Sequence, residues 1–252
     1  MPIDDLSNPE GPEPQSEPPV PRASLVDNRF DWWHGLAAVG LFLLAGLTAG
    51  VALALGAPGA GLLGVLAATA VGDWAVVAFV AALAWRLYGS VRTGLAIRFG
   101  LPPRVYVWGT LAVLGVFLAS LVYDLALRAF GVRFEQRLVQ AASEMRGPWH
   151  WVGLLILGGL VIPVAEEVVF RGCLYPALRR RMTAGRAMTY SALVFAAIHM
   201  EPGALAPIFL MGVILAWFRE RTGSLVAPIY VHALNNLTSL TLVMLSQQPL
   251  GR

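Results

Sequence analysis

Two adjacent carboxylates and an arginine interrupt an otherwise apolar stretch, at Glu166, Glu167 and Arg171. An ionised side chain survives inside hydrocarbon only when it is paired, faces a wet cavity or is needed for chemistry. Glu167 and Arg171 are four residues apart, so a helix places them on one face as an ion pair, while Glu166 points about 100° away. The pair by itself is typical of a structural clip, and the unpaired Glu166 is the predicted functional carboxylate.

Two further polar pairs follow along the chain at the same helical spacing. Phe195 and His199 form one pair, and His232 and Asn236 form the other. Depth can be estimated from the arginines that mark the cytoplasmic boundary, with a helical rise of about 1.5 Å per residue. On this estimate Glu166 and His199 lie about 20 Å deep, and His232 and Asn236 lie about 16 and 22 Å deep. The four polar side chains are therefore predicted to meet at one level inside a membrane.

These side-chain types point to hydrolysis of a peptide bond. A carboxylate beside a neutral imidazole can hold and deprotonate a water molecule, and an imidazole with a carboxamide can donate hydrogen bonds to the oxyanion of a tetrahedral intermediate. Glu166 is the predicted base and His199 the group that orients the water, while His232 and Asn236 are the predicted oxyanion donors. Each histidine and the asparagine also has a structural explanation, as interfacial or interhelical hydrogen-bonding groups.

The elements that must position these residues are membrane helices. The 252 residues are 57% hydrophobic and only 13% charged, which is too apolar for a soluble domain. The predicted fold class is an all-α polytopic transmembrane helical bundle of about seven spans, with the polar site in the last four. The predicted spans are approximately 35–57, 61–85, 106–127, 149–170, 188–199, 204–218 and 225–245.

Composition divides the chain into four parts. Residues 1–30 are rich in Pro and acidic residues and are predicted to form a disordered tail, and residues 31–148 hold the N-terminal spans. Residues 149–246 form the helical core that carries the polar pairs, and residues 247–252 form a C-terminal tail. The polar connection at 128–146 is a candidate for an amphipathic helix that lies on the membrane surface.

The basic residues indicate topology. All 18 are Arg, and most lie in short loops between apolar segments, so no nucleic-acid partner is expected. With a cytoplasmic N-terminal tail, the Arg-rich loops at 86–104, 171–186 and 219–221 all face the cytoplasm, although four Arg at 128–146 fall on the other side. The all-Arg loops and compact size favour a bacterial inner-membrane protein whose environment is the lipid bilayer.

Other polar residues in the apolar regions receive structural interpretations. Asp73 and Asp124 lie inside spans, but neither their order nor their neighbours match the motifs of aspartyl intramembrane proteases, so they are expected to be structural or cavity-lining. Cys173 is the single cysteine and has no neighbouring base for thiol chemistry. His34 and His150 adjoin tryptophans and are expected at the membrane interface.

At the three polar sets the sequence resembles the CAAX protease and bacteriocin-processing family of membrane proteins, also called the Abi family. Its Glu-Glu-x-x-x-Arg, Phe-x-x-x-His and His-x-x-x-Asn motifs match residues 166–171, 195–199 and 232–236, within a resembling region of about 149–241. One motif alone is weak, but three in this order are specific.

The resemblance implies a metal-independent glutamate endopeptidase without a cofactor. The implied roles are catalytic for Glu166 and His199, oxyanion-stabilising for His232 and Asn236, and supporting for Glu167 and Arg171. Two Glu and two His could also bind a divalent metal, so a metal site stays open.

The predicted function is therefore an intramembrane endopeptidase acting on a membrane-associated peptide or protein. In a bacterium, a membrane peptide, a signal or anchor segment or a bacteriocin-like precursor is a more natural substrate than a prenylated CAAX protein. Two alternatives stay open. The first is a non-catalytic immunity or scaffold protein that keeps the polar set for packing, and the second is a small proton-coupled transporter with a carboxylate-histidine relay. A transporter predicts internal repeats, which the sequence lacks.

Overall fold

The computed structural model describes residues 28–56, 61–134 and 147–247. Nearly all of the predicted disordered tail lies outside these described residues. So does most of the connection proposed to hold a surface helix, because residues 135–146 are not described. The C-terminal tail beyond residue 247 is outside them as well.

The regular structure of the described residues is entirely helical, which confirms the predicted all-α membrane bundle. A short 3-10 turn, Pro202–Ala204, separates the last two long helices from those before them. The helices are α1 (Trp32–Gly56), α2 (Gly61–Tyr88), α3 (Val91–Gly94), α4 (Pro103–Ala129), α5 (Pro148–Arg179), α6 (Ala184–Ile198), α7 (Leu205–Thr222) and α8 (Val226–Ser246).

Each of the seven predicted spans corresponds to one of these helices, with α3 as a short addition between the second and third. Within the described residues, five helical segments are long and apolar enough to cross a membrane: α1, α2, α4, α5, and α7 together with its preceding turn. The apolar helix α6 is shorter, and α8 carries the polar pair His232 and Asn236. Large apolar side chains such as Leu47 and Leu118 are 65% and 64% exposed on the outer faces, as expected for side chains that contact lipid.

The core forms around α5, which is not a uniform α-helix. Two π-helical stretches, Leu157–Val161 and Val168–Leu174, flank the α-helical segment Ile162–Glu167. Pro163 lacks the amide hydrogen that a regular ladder needs, and π-helical turns are frequent at functional sites. All seven residues of the second π-helical stretch, which includes Arg171 and directly follows the two glutamates, are buried.

Several chain segments are tied together at one end of the bundle. Arg29 donates to the carbonyl of Leu87 at the end of α2, and Arg181, just after α5, pairs with Asp31 at 3.1 Å. The Ser224 hydroxyl, between α7 and α8, donates to the carbonyl of Arg98 at 2.9 Å. The Arg-rich segments therefore share one end, as alternation of the spans requires.

Candidate active site

A fully buried ion pair lies at the centre of the candidate site. Arg171 Nη1 donates to Glu167 Oε1 at 2.9 Å, and neither side chain is exposed. His232 Nδ1 lies 2.9 Å from the same carboxylate oxygen. Because Glu167 Oε1 already accepts from the guanidinium, we place the shared proton on the imidazole, which makes Nδ1 the donor. Glu167 therefore connects the arginine of α5 to the histidine of α8.

Arg171 is held by two further contacts from α6 and α7. Its Cζ atom lies 4.4 Å from the ring centroid of Phe195, a cation–π distance, and its Nη2 donates to the Gly212 carbonyl at 3.0 Å. A Cβ atom on Gly212 would lie 2.9 Å from the Cβ of Ala192, so the glycine allows α6 and α7 to approach closely. This approach brings both the Phe195 ring and the Gly212 carbonyl to the guanidinium.

His232 lies between the two glutamates. Its Nε2 atom is 3.6 Å from Glu166 Oε2, on the opposite side of the ring from the Glu167 contact. The Glu166 side chain is 12% exposed, whereas that of Glu167 is fully buried. Glu166 is therefore the more accessible carboxylate, and Glu167 is bound within the protein.

His199 has one ring nitrogen committed to the backbone. It caps the end of α6, and its Nδ1 lies 2.7 Å from the Phe195 carbonyl, which can only accept a hydrogen bond. In the neutral imidazole Nδ1 then carries the proton, and Nε2 keeps its lone pair. The Phe195 ring packs against both imidazoles, with its centroid 4.6 Å from that of His199 and 5.7 Å from that of His232.

Two hydrogen bonds orient the side-chain amide of Asn236. Its Nδ2 donates to the carbonyl of Gly158 in the first π-helical stretch at 3.1 Å, and its Oδ1 accepts from Asn235 Nδ2 at 3.2 Å. One N–H of the Asn236 amide is left for another partner.

The four residues predicted to act together line one cavity of about 520 Å³, a volume in the range of ligand sites. They are Glu166, His199, His232 and Asn236. A second cavity of about 680 Å³, lined mostly by apolar residues of α1, also reaches Glu166 and His199. These two side chains therefore lie where the cavities meet.

The structure adds partners that the sequence interpretation missed. Glu167 and Arg171 form the predicted pair. The helical spacing paired His232 only with Asn236, whereas in the structure His232 contacts both glutamates. Phe195, seen only as a motif residue, packs against charged and imidazole groups from three helices. No local sequence pattern predicts the contacts between different helices, because they join residues far apart in the chain.

Other polar residues fall into distinct environments. Asp124 forms an ion pair with Arg128 at 2.7 Å on the outer face of α4, whereas Asp73 lines the second cavity. Cys173 is buried and free. Among the residues that the structure describes, no group of three His, Cys, Asp or Glu side chains has an arrangement that could hold a metal ion.

Comparison with known proteins supports the motif assignment. Residues 148–238 match the family described as type II CAAX prenyl endopeptidase Rce1-like. Over 176 residues the chain is 26% identical to the "Putative membrane peptidase YdiL" of Bacillus subtilis (strain 168), a match that covers 66% of this chain and 69% of that protein. No solved structure matches the chain significantly. The family resemblance predicted from the three motifs is confirmed.

Proposed function

We propose that this chain is an endopeptidase in which Glu166 activates a water molecule inside the membrane. The similarity of residues 148–238 to the CAAX-type membrane peptidases supports this proposal. The observation that carries the proposal is the cavity shared by Glu166, His199, His232 and Asn236. Base, water-orienting group and oxyanion donors must all reach one substrate carbonyl, and a common cavity is the geometric condition for this.

Glu166 and His199 form the water-activating side of the cavity. Both offer acceptors, a carboxylate oxygen and the Nε2 lone pair, so a water molecule between them donates one hydrogen bond to each. This arrangement points the oxygen lone pair of the water toward a substrate carbonyl. The commitment of His199 Nδ1 to the Phe195 carbonyl supports the tautomer that this role needs.

His232 and Asn236 form the oxyanion-binding side. A donor at His232 Nε2 requires a doubly protonated ring, because Nδ1 already donates to Glu167. An imidazolium there also balances charge: two glutamates, one arginine and one imidazolium sum to zero in a region where net charge is costly. Asn236 contributes the N–H that its Gly158 contact leaves available.

The reaction then proceeds with the groups already in place. The water oxygen attacks the carbonyl carbon while Glu166 takes one proton, and the oxyanion receives hydrogen bonds from His232 and Asn236. Collapse of the tetrahedral intermediate breaks the C–N bond, and the proton held by Glu166 passes to the leaving amine nitrogen. The products are a new carboxyl terminus and a new amino terminus.

The substrate is proposed to be membrane-associated, because the cavities lie between helices of a membrane bundle. The second cavity is lined by α1 side chains such as Leu43 and Leu47, which are about half or more exposed on the outer face. A membrane segment therefore has an apolar route to Glu166. We further propose that the chain resides in the bacterial inner membrane with its N-terminus in the cytoplasm, as the arginine distribution predicts.

Cleavage of quenched fluorogenic peptides by the detergent-purified protein tests this proposal. The panel includes prenylated and unprenylated CAAX peptides and transmembrane peptides. We expect Glu166→Ala and His199→Ala each to lower kcat by about 10²- to 10⁴-fold, the usual contribution of general acid–base groups. Asp124→Ala, which removes a carboxylate from the outer face, serves as the matched control and should keep wild-type activity.

A chelator arm separates two mechanisms. Activity that survives chelation supports the metal-free glutamate mechanism, and activity lost on chelation and restored by a divalent cation contradicts it. A folded wild-type protein that cleaves no peptide in the panel would contradict the proposed activity and favour a non-catalytic scaffold role.

A further inference from the structure

Asp73, in the middle of α2, is a buried carboxyl group that the reaction above does not use. It is 1% exposed, and neither of its oxygens has a hydrogen-bond partner among the described residues. Asp124, the other aspartate within a span, has its arginine partner and is 44% exposed on its side chain. A carboxyl group buried at membrane depth without a protein partner requires a reason other than stability.

The neighbours of Asp73 fix the position of its carboxyl group. Gly72 lies against α1, where an added Cβ would come within 3.0 Å of the Ala45 Cβ. On the other side, Trp74 Nε1 donates to the Val161 carbonyl of α5 at 3.3 Å. The residues on either side of Asp73 thus bind α2 to α1 and to α5, and Asp73 has little freedom to turn toward lipid.

Asp73 shares the second cavity with Glu166 and His199. The shared cavity brings the two carboxyl groups into one mostly apolar space, in which like charges repel more strongly than in water. The four charged groups of the candidate site already sum to zero when His232 is an imidazolium, so an ionised Asp73 would add an uncompensated negative charge beside Glu166. A protonated Asp73 avoids this repulsion and becomes a hydrogen-bond donor.

We propose that Asp73 is a positioning residue of the hydrolytic site, whose carboxyl O–H donates a hydrogen bond toward Glu166 through one water molecule and so fixes the orientation of the catalytic carboxylate. This inference rests on the proposed function. It extends the site beyond the segment 148–238 that carries the family match to a residue contributed by the N-terminal spans.

The test compares Asp73→Leu, which removes the donor at similar size, with Asp73→Asn, which keeps an N–H donor. Both are measured for thermal unfolding in detergent and for kcat and KM on the fluorogenic peptide that wild type cleaves best. We expect Asp73→Leu to lower kcat by about 10- to 100-fold, by analogy with groups that orient a metal-ligating residue, with KM nearly unchanged. Asp73→Asn should restore most of the lost kcat.

Thermal unfolding separates positioning from structural support. Replacing a buried, unpartnered carboxyl by leucine removes a desolvation cost, so Asp73→Leu should unfold at a higher temperature than wild type while being less active. A purely structural role predicts that stability and activity fall together. Asp124→Leu is the matched control and should leave kcat unchanged.

Each outcome has a defined meaning. Wild-type kcat in Asp73→Leu, or a parallel loss of stability and activity, overturns the role of Asp73 but leaves the proposed function intact. A failure of Asp73→Asn to restore kcat also overturns it, because the hydrogen-bond donor would then not be the feature that matters. A folded wild type that cleaves no peptide overturns the proposed function, and this positioning role with it.

Discussion

At the residue scale, the main effect of the buried Glu167–Arg171 pair is to orient the imidazole of His232. Removing two charges from water costs free energy that their attraction only partly returns, so a buried pair is weak support for stability. Its geometric effect is clear: one carboxylate oxygen meets Arg171 Nη1 and His232 Nδ1, both at 2.9 Å. The imidazole is thereby fixed with its other nitrogen toward Glu166.

This arrangement predicts that substitutions at Glu167 and Arg171 have strongly non-additive effects on the free energy of unfolding. Glu167→Gln leaves the guanidinium buried without its anion, and Arg171→Met leaves the carboxylate without its main cation. Breaking a buried pair from one side costs about 3–5 kcal/mol, so each single variant should be strongly destabilised. The double variant should be more stable than either single one.

Thermal or denaturant unfolding of the four proteins in detergent measures this coupling. The double variant should regain stability without regaining activity, because His232 loses the carboxylate that orients it. Additive losses of stability in the double variant would show that the two side chains act independently. Arg128→Met, which leaves Asp124 unpaired on the outer face, is the control and should change stability by less than about 1 kcal/mol.

At the element scale, the sequence predicted what helical spacing determines and missed what distant contacts determine. The Glu167–Arg171 pair follows from local geometry alone, since residues four apart share a helix face. The contact of His232 with Glu167 spans 65 residues, and no local pattern encodes it. The π-helical stretches of α5 were also missed, because an almost uniformly apolar segment gives no periodic signal that a change of helical type would disturb.

The close approach of α6 and α7 gives a prediction at this scale. Gly212→Ala places a Cβ atom 2.9 Å from the Cβ and 3.0 Å from the Cα of Ala192, so the helices must separate. Overpacking of this kind typically costs about 1–3 kcal/mol. Because the Gly212 carbonyl accepts from Arg171, we expect lower activity together with lower thermal stability.

The matched control for this prediction is Gly115→Ala in α4. A Cβ atom there meets nothing within 4 Å, so Gly115→Ala should not lower stability, and the higher helix propensity of alanine should raise it by at most about 1 kcal/mol. Equal effects of the two substitutions on unfolding and on peptide cleavage would show that the α6–α7 contact has no special role in holding Arg171.

At the scale of the whole molecule, some of the helices that form the candidate site lie outside the segment that matches the family. Residues 148–238 contribute the glutamates and imidazoles, but α1 and α2 form most of the second cavity. The composition predicted membrane spans for this N-terminal region and nothing of its relation to the site. Hydrophobicity identifies a helix as membrane-spanning, whereas its neighbours depend on side-chain contacts that composition does not specify.

The common end of the Arg-rich segments makes orientation testable with single cysteines. Cys173, the one native cysteine, is fully buried and should not react with a membrane-impermeant maleimide. Arg186→Cys lies near the start of α6 and Val132→Cys just beyond α4, so α5 separates them and places them on opposite sides of the membrane. The positive-inside rule assigns the Arg-rich end to the cytoplasm.

We therefore expect Val132→Cys to be labelled in intact spheroplasts and Arg186→Cys only after the membrane is opened, with the native protein silent in both cases. The reverse pattern would place the N-terminus outside and contradict the orientation predicted from the arginines. Labelling of both cysteines in intact spheroplasts would contradict the membrane-spanning assignment of α5. Since α5 carries Glu166, the same experiment tests whether the proposed catalytic carboxylate is contributed by a helix that crosses the bilayer.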